Sequence, residues 1–218
     1  MGFSAGAAIR YGWETFKRRP WFFVGATFVI LLLSGLINGL ASGIDAVFTG
    51  SADEPSIAGM IINLGLGTLL SMGATAFYLV AHDNPEAADL SLLWHPQPFW
   101  KYLGMYLLVA LVIAAGLILL IVPGIIFALM FMFAPLIVIE RELGPIDAMK
   151  ESNRITRGHK WPLLGLVALL ILINVLGVLA LVVGLLVSIP VSTFAFVHAY
   201  RSLSGRPETR PVDAALAA

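Results

Sequence analysis

The sequence predicts an all-α membrane protein: six transmembrane helices forming three hairpins, each preceded by a cytoplasmic interfacial amphipathic helix. Three observations lead there. Of 218 residues, 59% are hydrophobic and 12% charged, and the mean hydropathy of +0.93 lies outside the range of a soluble domain. Apolar runs occupy residues near 21–48, 57–81, 102–139 and 161–200. Since roughly 20 apolar residues cross a hydrocarbon core, the first two runs count once each and the last two twice. Six crossings then leave all 13 Lys and Arg on the side holding both termini. The opposite side has only the loop around Ser51, with Asp53 and Glu54, and two uncharged turns. The positive-inside bias places both termini in the cytoplasm.

Residues 3–19 read as the first surface helix, with Ser4 as N-cap, Ile9, Trp13 and Phe16 on one face, and i,i+4 spacing from Arg10 to Glu14 and from Glu14 to Arg18. No cleavable signal is expected, because Met1 to Pro20 is amphipathic and the run that follows is too long for a signal core. The first span, Trp21 to about Phe48, carries Gly35, Gly39 and Gly43 at four-residue spacing, with Ser34, Asn38 and Ser42 alongside. The second carries Gly59, Asn63, Gly67, Ser71 and Thr75, again four apart. In lipid such small residues permit close backbone approach, so these two faces are expected to pack together; the functional alternative is a groove for lipid or solute.

Residues 82–98 form a polar connection in which Pro85, Pro96 and Pro98 allow at most a short helix, with a weakly amphipathic piece around Leu90 to Trp94. The third and fourth spans should turn at Val122-Pro123-Gly124, with Pro135 bending the fourth; the fifth and sixth should turn near Gly184, with Pro190 kinking the sixth. Between these hairpins, Gly144 and Pro145 open an amphipathic helix that ends at Gly158. Ile146, Met149 and Ile155 fall on one face of it, and Asp147, Lys150, Glu151, Arg154 and Arg157 on the other, so it suits the bilayer interface. Trp161 then marks the return into the membrane. Residues 204–218 read as a disordered cytoplasmic tail.

A repeat underlies this order. Setting Ala8 against Ala148 without gaps aligns Ile9 with Met149, Arg10 with Lys150, Lys17 with Arg157, Trp21 with Trp161 and Gly25 with Gly165; Trp100 and Gly104 supply a third Trp-x-x-x-Gly. One membrane domain, 1–203, is therefore expected to contain pseudo-repeats of about 3–81, 87–142 and 145–203.

Chemistry is sparse. There is no cysteine, His82, His95, His159 and His198 lack ligand spacing, and no nucleophile or phosphate-binding motif occurs, so no enzyme, metal or cofactor is expected. Glu140 and Glu142 flank Arg141 and read as a solvated cluster. No ionisable residue lies at the expected centre of the bilayer, which disfavours a proton-driven carrier. Asn38, Asn63 and Asn174 fall in its outer half; they either make separate interhelical hydrogen bonds or converge on one polar pocket.

The stretch Pro123-Gly124 through Ala134-Pro135, then Gly144-Pro145-Ile146-Asp147-Ala148-Met149-Lys150-Glu151-Ser152 and Arg154-Ile155-Thr156-Arg157-Gly158, resembles a superfamily of bacterial integral-membrane proteins of unknown function. It is also similar to the membrane domain preceding some glycerophosphodiester phosphodiesterases, as is the opening Tyr11-Gly12-Trp13 through Phe16-Lys17. Where that pattern often has an aromatic after the Ser, Asn153 stands here. The resemblance implies a multi-span bacterial inner-membrane protein, and its phosphodiesterase activity is not expected to carry over. The expected function is a non-enzymatic lipid- or partner-binding membrane component. Its partners would be membrane lipids, with a protein partner or a second copy as a further possibility and no nucleic acid. Arg10, Lys17, Arg18, Arg154, Arg157 and Lys160 are the candidates for head-group binding. The alternative is a passive channel or carrier for a small or amphipathic solute.

Overall fold

The computed structural model describes residues 3–94, 98–180 and 183–205. His95, Pro96, Arg206, Arg210 and the tail from 206 onward lie outside the described residues. Each apolar run forms helix, because lipid leaves backbone groups no partner but one another. Helix α1 is Ala5–Arg18, and α2 (Pro20–Thr49) and α3 (Ile57–Asp83) follow across a loop that begins with left-handed Gly50. A short 3-10 helix, Leu90–Leu93, precedes α4 (Phe99–Leu119). The next run is split into α5 (Ile121–Phe131) and α6 (Ala134–Arg141). Helix α7 (Pro145–Thr156) leads to α8 (Lys160–Leu179) and α9 (Leu185–Ser204), and no strand occurs among the described residues.

Five helical stretches are long and apolar enough to cross a membrane: α2, α3, α4, α5 with α6, and α8. Helix α9 is not one of them, since Ser188, Pro190, Ser192, Thr193 and His198 interrupt its apolar run. It nevertheless stays helical through Pro190 and turns back on α8, where Gly177 and Gly184 bring the two backbones together. In the preceding pair the chain reverses at extended Leu120, and Pro123 lies inside the first turn of α5 rather than in the turn itself. A proline there forfeits no hydrogen bond, because the first helical N–H groups have no partner within the helix.

Pro135 does break the fourth run. It has no N–H for the carbonyl four residues back, and the chain opens at Met132 and Phe133. The gap is closed from α7: the Ser152 hydroxyl donates to Met130 C=O at 2.7 Å and accepts Phe133 N–H at 3.2 Å. Ala148, Ser152, Ile155 and Thr156 form the buried side of α7, which packs on α4, α5 and α6, while Ile146 is 60% exposed. The expected face of Ile146, Met149 and Ile155 is therefore turned by the demand of the broken span.

Helix α1 is likewise held by small residues. Ala8, Gly12, Thr15 and Phe16 are buried against α9, and a Cβ on Gly12 would stand 2.5 Å from Val191 O; Trp13 points outward. No ion pair closes among Arg10, Glu14 and Arg18. The short 3-10 helix packs on α3, where Gly73 admits the Leu93 carbonyl. The core lies between α2, α3, α6 and α9, around Phe23, Phe77, Phe133, Phe194 and Tyr200.

The expected packing of Gly35, Gly39 and Gly43 on α3 does not occur: a Cβ at any of the three would meet nothing within 4 Å. Two polar contacts set the rotation of α2 instead. Asn63 donates to Asn38 Oδ1 at 2.9 Å, and Asp45 Oδ1 accepts the Ser56 N–H at 2.7 Å and its hydroxyl at 2.6 Å. With Asn38, Ala41 and Asp45 facing α3, the glycine ridge is turned about 100° per residue away. Of the five glycines expected at the interface only Gly59 is used, against Asp45; Gly67 faces open space, with only Asn63 Oδ1 of its own helix nearby, at 3.8 Å.

Candidate functional site

Charges at the ends of three apolar helices converge. Arg201 near the end of α9 donates through Nε and Nη2 to Asp83 at 3.1 and 2.5 Å and through Nη1 to Glu140, which also accepts the Tyr200 hydroxyl. These side chains are nearly buried, at 6% for Arg201, 10% for Asp83 and 9% for Glu140, so each depends on the others in place of water. Glu140 thus belongs to an interhelical network and not to the solvated cluster expected from its neighbours. Arg141 turns the other way and pairs with Glu151 of α7 at 2.5 Å.

Beside this network lies a histidine pair. His82, fully buried, holds Asp83 through Nδ1 at 2.9 Å, and its Nε2 is 3.4 Å from His198 Nδ1. Tyr11 of α1 stacks on His198 at 4.0 Å and donates its hydroxyl to His82 C=O. Four helices, α1, α3, α6 and α9, are tied at this point. Among the described residues no group of three or more His, Asp or Glu is placed to hold a metal.

Outside the apolar helices, Glu151 is drawn down to about 2, first by its hydrogen bond from Arg154 and further by Arg141, against the opposing effect of burial. It is therefore ionised at any physiological pH, and Arg154 is bound to it at 2.6 Å. Of the proposed head-group residues, Arg10, Lys17, Arg18 and Arg157 are exposed and make no ion pair among the described residues, and Lys160 is half-buried. By contact, α1 lies across α9 between Val191 and His198, α7 lies beside α6, and Lys101 at the start of α4 donates to Glu142 C=O.

The three asparagines do not meet at one point. Asn38 and Asn63 bond each other, whereas Asn174 donates to Ser192 Oγ and accepts from Ser188, joining α8 to α9. Asn63 instead opens onto a cleft of about 200 Å³ between α3 and α4, lined also by Leu64, Gly67, Thr68, Ser71, Tyr102 and Tyr106. The polar stripe of α3 thus faces the tyrosines of α4 and not the glycines of α2. A second groove, about 380 Å³ and almost wholly apolar, runs along α2 and α3 between Leu33 and Leu66 and ends under Trp94.

A domain family of unknown function, DUF7847, matches residues 99–204, from the start of α4 to the end of α9. Uncharacterized proteins of Mycobacterium bovis and Mycobacterium tuberculosis are each 27% identical over 237 aligned residues, 94% of this chain and 70% of theirs. A UPF0259 membrane protein of Pectobacterium carotovorum is 29% identical over 105 residues, covering 48% of this chain and 42% of its own. No solved structure matches. None of these names a phosphodiesterase, so the resemblance to the membrane domain of those enzymes stays an expectation. With five helices fit to cross a bilayer, the chain is similar to bacterial membrane proteins of unknown function.

Proposed function

We propose that this chain is a non-enzymatic inner-membrane protein that crosses the bilayer six times and binds anionic lipid through its cationic end. Three units, each a short amphipathic helix and a hairpin, would surround the core. The packing supports this order, because each amphipathic piece rests on a unit other than its own: the 3-10 helix on α3, α7 on α4 to α6, and α1 on α9 of the last unit. Arg10, Lys17, Arg18, Arg154, Arg157 and Lys160 would engage head groups, each contributing roughly 1 kcal/mol near an anionic surface.

The observation that carries the reading is the exposure of Arg10, Lys17, Arg18 and Arg157, without ion pairs among the described residues, in a chain whose long helices are apolar. Arg201 and Arg141 show what this chain does with structural cations: it buries and pairs them. The alternative for the exposed four is that they serve topology alone. Lipids retained after gentle detergent extraction separate the two. Reversing Arg10, Lys17 and Arg18 to Glu should cut retained phosphatidylglycerol by roughly tenfold or more; retention unchanged in a fully inserted variant leaves topology as their role. The second reading, a passive channel or carrier for a small or amphipathic solute, is favoured by the cleft between α3 and α4.

A further inference from the structure

The cleft between α3 and α4 has a lining that constrains its occupant. Of its polar groups, Tyr102 OH is shared with Ser71 at 3.0 Å and Thr75 at 3.3 Å, Thr68 donates to Leu64 C=O, and the Asn63 amide donates to Asn38. Asn63 Oδ1 and Tyr106 OH are left without a hydrogen-bond partner among the described residues. From Asp83 at the polar end of α3, Ser71 and Asn63 lie 12 and 20 residues along the helix, about 18 and 30 Å. Between those two levels the cleft opens on the side of an apolar helix pair, where an unmet carbonyl and hydroxyl are best satisfied by a polar group carried on a lipid.

Among the described residues no charged group lines the cleft. Lys101, one residue before Tyr102, is not part of the lining and reaches to Glu142 C=O, so a phosphate or carboxylate seated here would find no counter-ion within the cleft. What fits is an uncharged group that both donates and accepts: a hydroxyl for Asn63 Oδ1 and an ester carbonyl for Tyr106 OH. Ser71 is exposed and Tyr106 is 53% exposed, so the cleft is open along its side.

We propose that this cleft binds an uncharged, hydroxyl-bearing lipid of the diacylglycerol type, which enters sideways from the bilayer and leaves its chains among those of its neighbours. The proposal rests on the reading of the chain as a lipid-binding membrane protein, but on different residues and a lipid of different charge. Loss of phosphatidylglycerol retention in the charge-reversed chain leaves it untouched.

The test is photolabelling of the full chain in phosphatidylcholine vesicles with a photoactivatable diacylglycerol, mapped by peptide mass spectrometry. Label should concentrate on residues 57–76 and 99–109, and be displaced by dioleoylglycerol but not by dioleoyl phosphatidic acid. Gly67→Leu should abolish it. A Cβ there meets only Asn63 Oδ1, at 3.8 Å, so the added side chain fills the cleft without displacing a helix. Gly35→Leu, on the open ridge of α2, should leave labelling unchanged. Tyr106→Phe, which keeps the ring, should lower it about fivefold, the worth of one hydrogen bond, and serves as the decisive variant if Gly67→Leu does not fold. Labelling spread around the spans in proportion to their exposure, or undiminished in folded Gly67→Leu or Tyr106→Phe, overturns the proposal.

Discussion

Arg201 illustrates how one residue can hold several helices. Its guanidinium reaches Asp83 of α3 and Glu140 of α6 from the end of α9, with 6% of the side chain exposed. Two carboxylates withdrawn from water are tolerable only while the cation is present, so Arg201→Leu should lower stability by about 3–5 kcal/mol, as measured by denaturant unfolding in detergent. Glu140→Gln should cost less, because Asp83 continues to balance the arginine. Part of this network was legible in the sequence: Asp83, Glu140 and Arg201 each stand at the end of an apolar run. Their convergence was not, because periodicity along one helix says nothing about which ends lie together. His82 and His198, separated by 116 residues, left no spacing signal at all.

At the scale of elements, helices were readable and their rotations were not. Runs of apolar residues fix where a helix must form in lipid, and the stripe of small and polar residues on α3 did mark an unusual face. Two such stripes do not choose each other, however. One amide pair, Asn38 with Asn63, outweighs three glycines, since apolar burial drives no association between helices in a bilayer. Pro135 shows a different case: a bend was expected there, whereas the chain breaks into two helices, and the means of repair left no mark in the sequence. Ser152 supplies both a donor and an acceptor to that break from another helix. Ser152→Ala removes both bonds and adds no bulk, so stability should fall by about 1–3 kcal/mol, with α7 becoming more accessible to protease. A Ser152→Ala protein as stable and as protease-resistant as the parent would mean that the break is satisfied some other way.

For the whole molecule the number of crossings decides the rest, and α9 is the helix on which the count turns. Its polar interruptions keep it below the hydropathy of the other five. Three contacts bear on where it runs. Gly184 at its start touches Gly177 of α8; Asn174 bonds Ser188 and Ser192 along its first turns; and Arg201 at its end joins Asp83 and Glu140. The polar side chains of α9 are thus met by protein, which is the condition under which a helix of this composition can lie within a bilayer. Twenty residues at 1.5 Å each give about 30 Å, the thickness of the hydrocarbon core. An alkaline phosphatase fusion in the loop at Ser51 should accordingly be active, while the same enzyme fused after Ala218 should be inactive and a fluorescent protein fused there should glow. Activity of the carboxyl-terminal phosphatase would reduce the crossings to an odd number and separate the two termini. The cations of α1 and α7 would then no longer lie on one membrane face with the end of the chain, and the anionic-lipid reading would lose its footing.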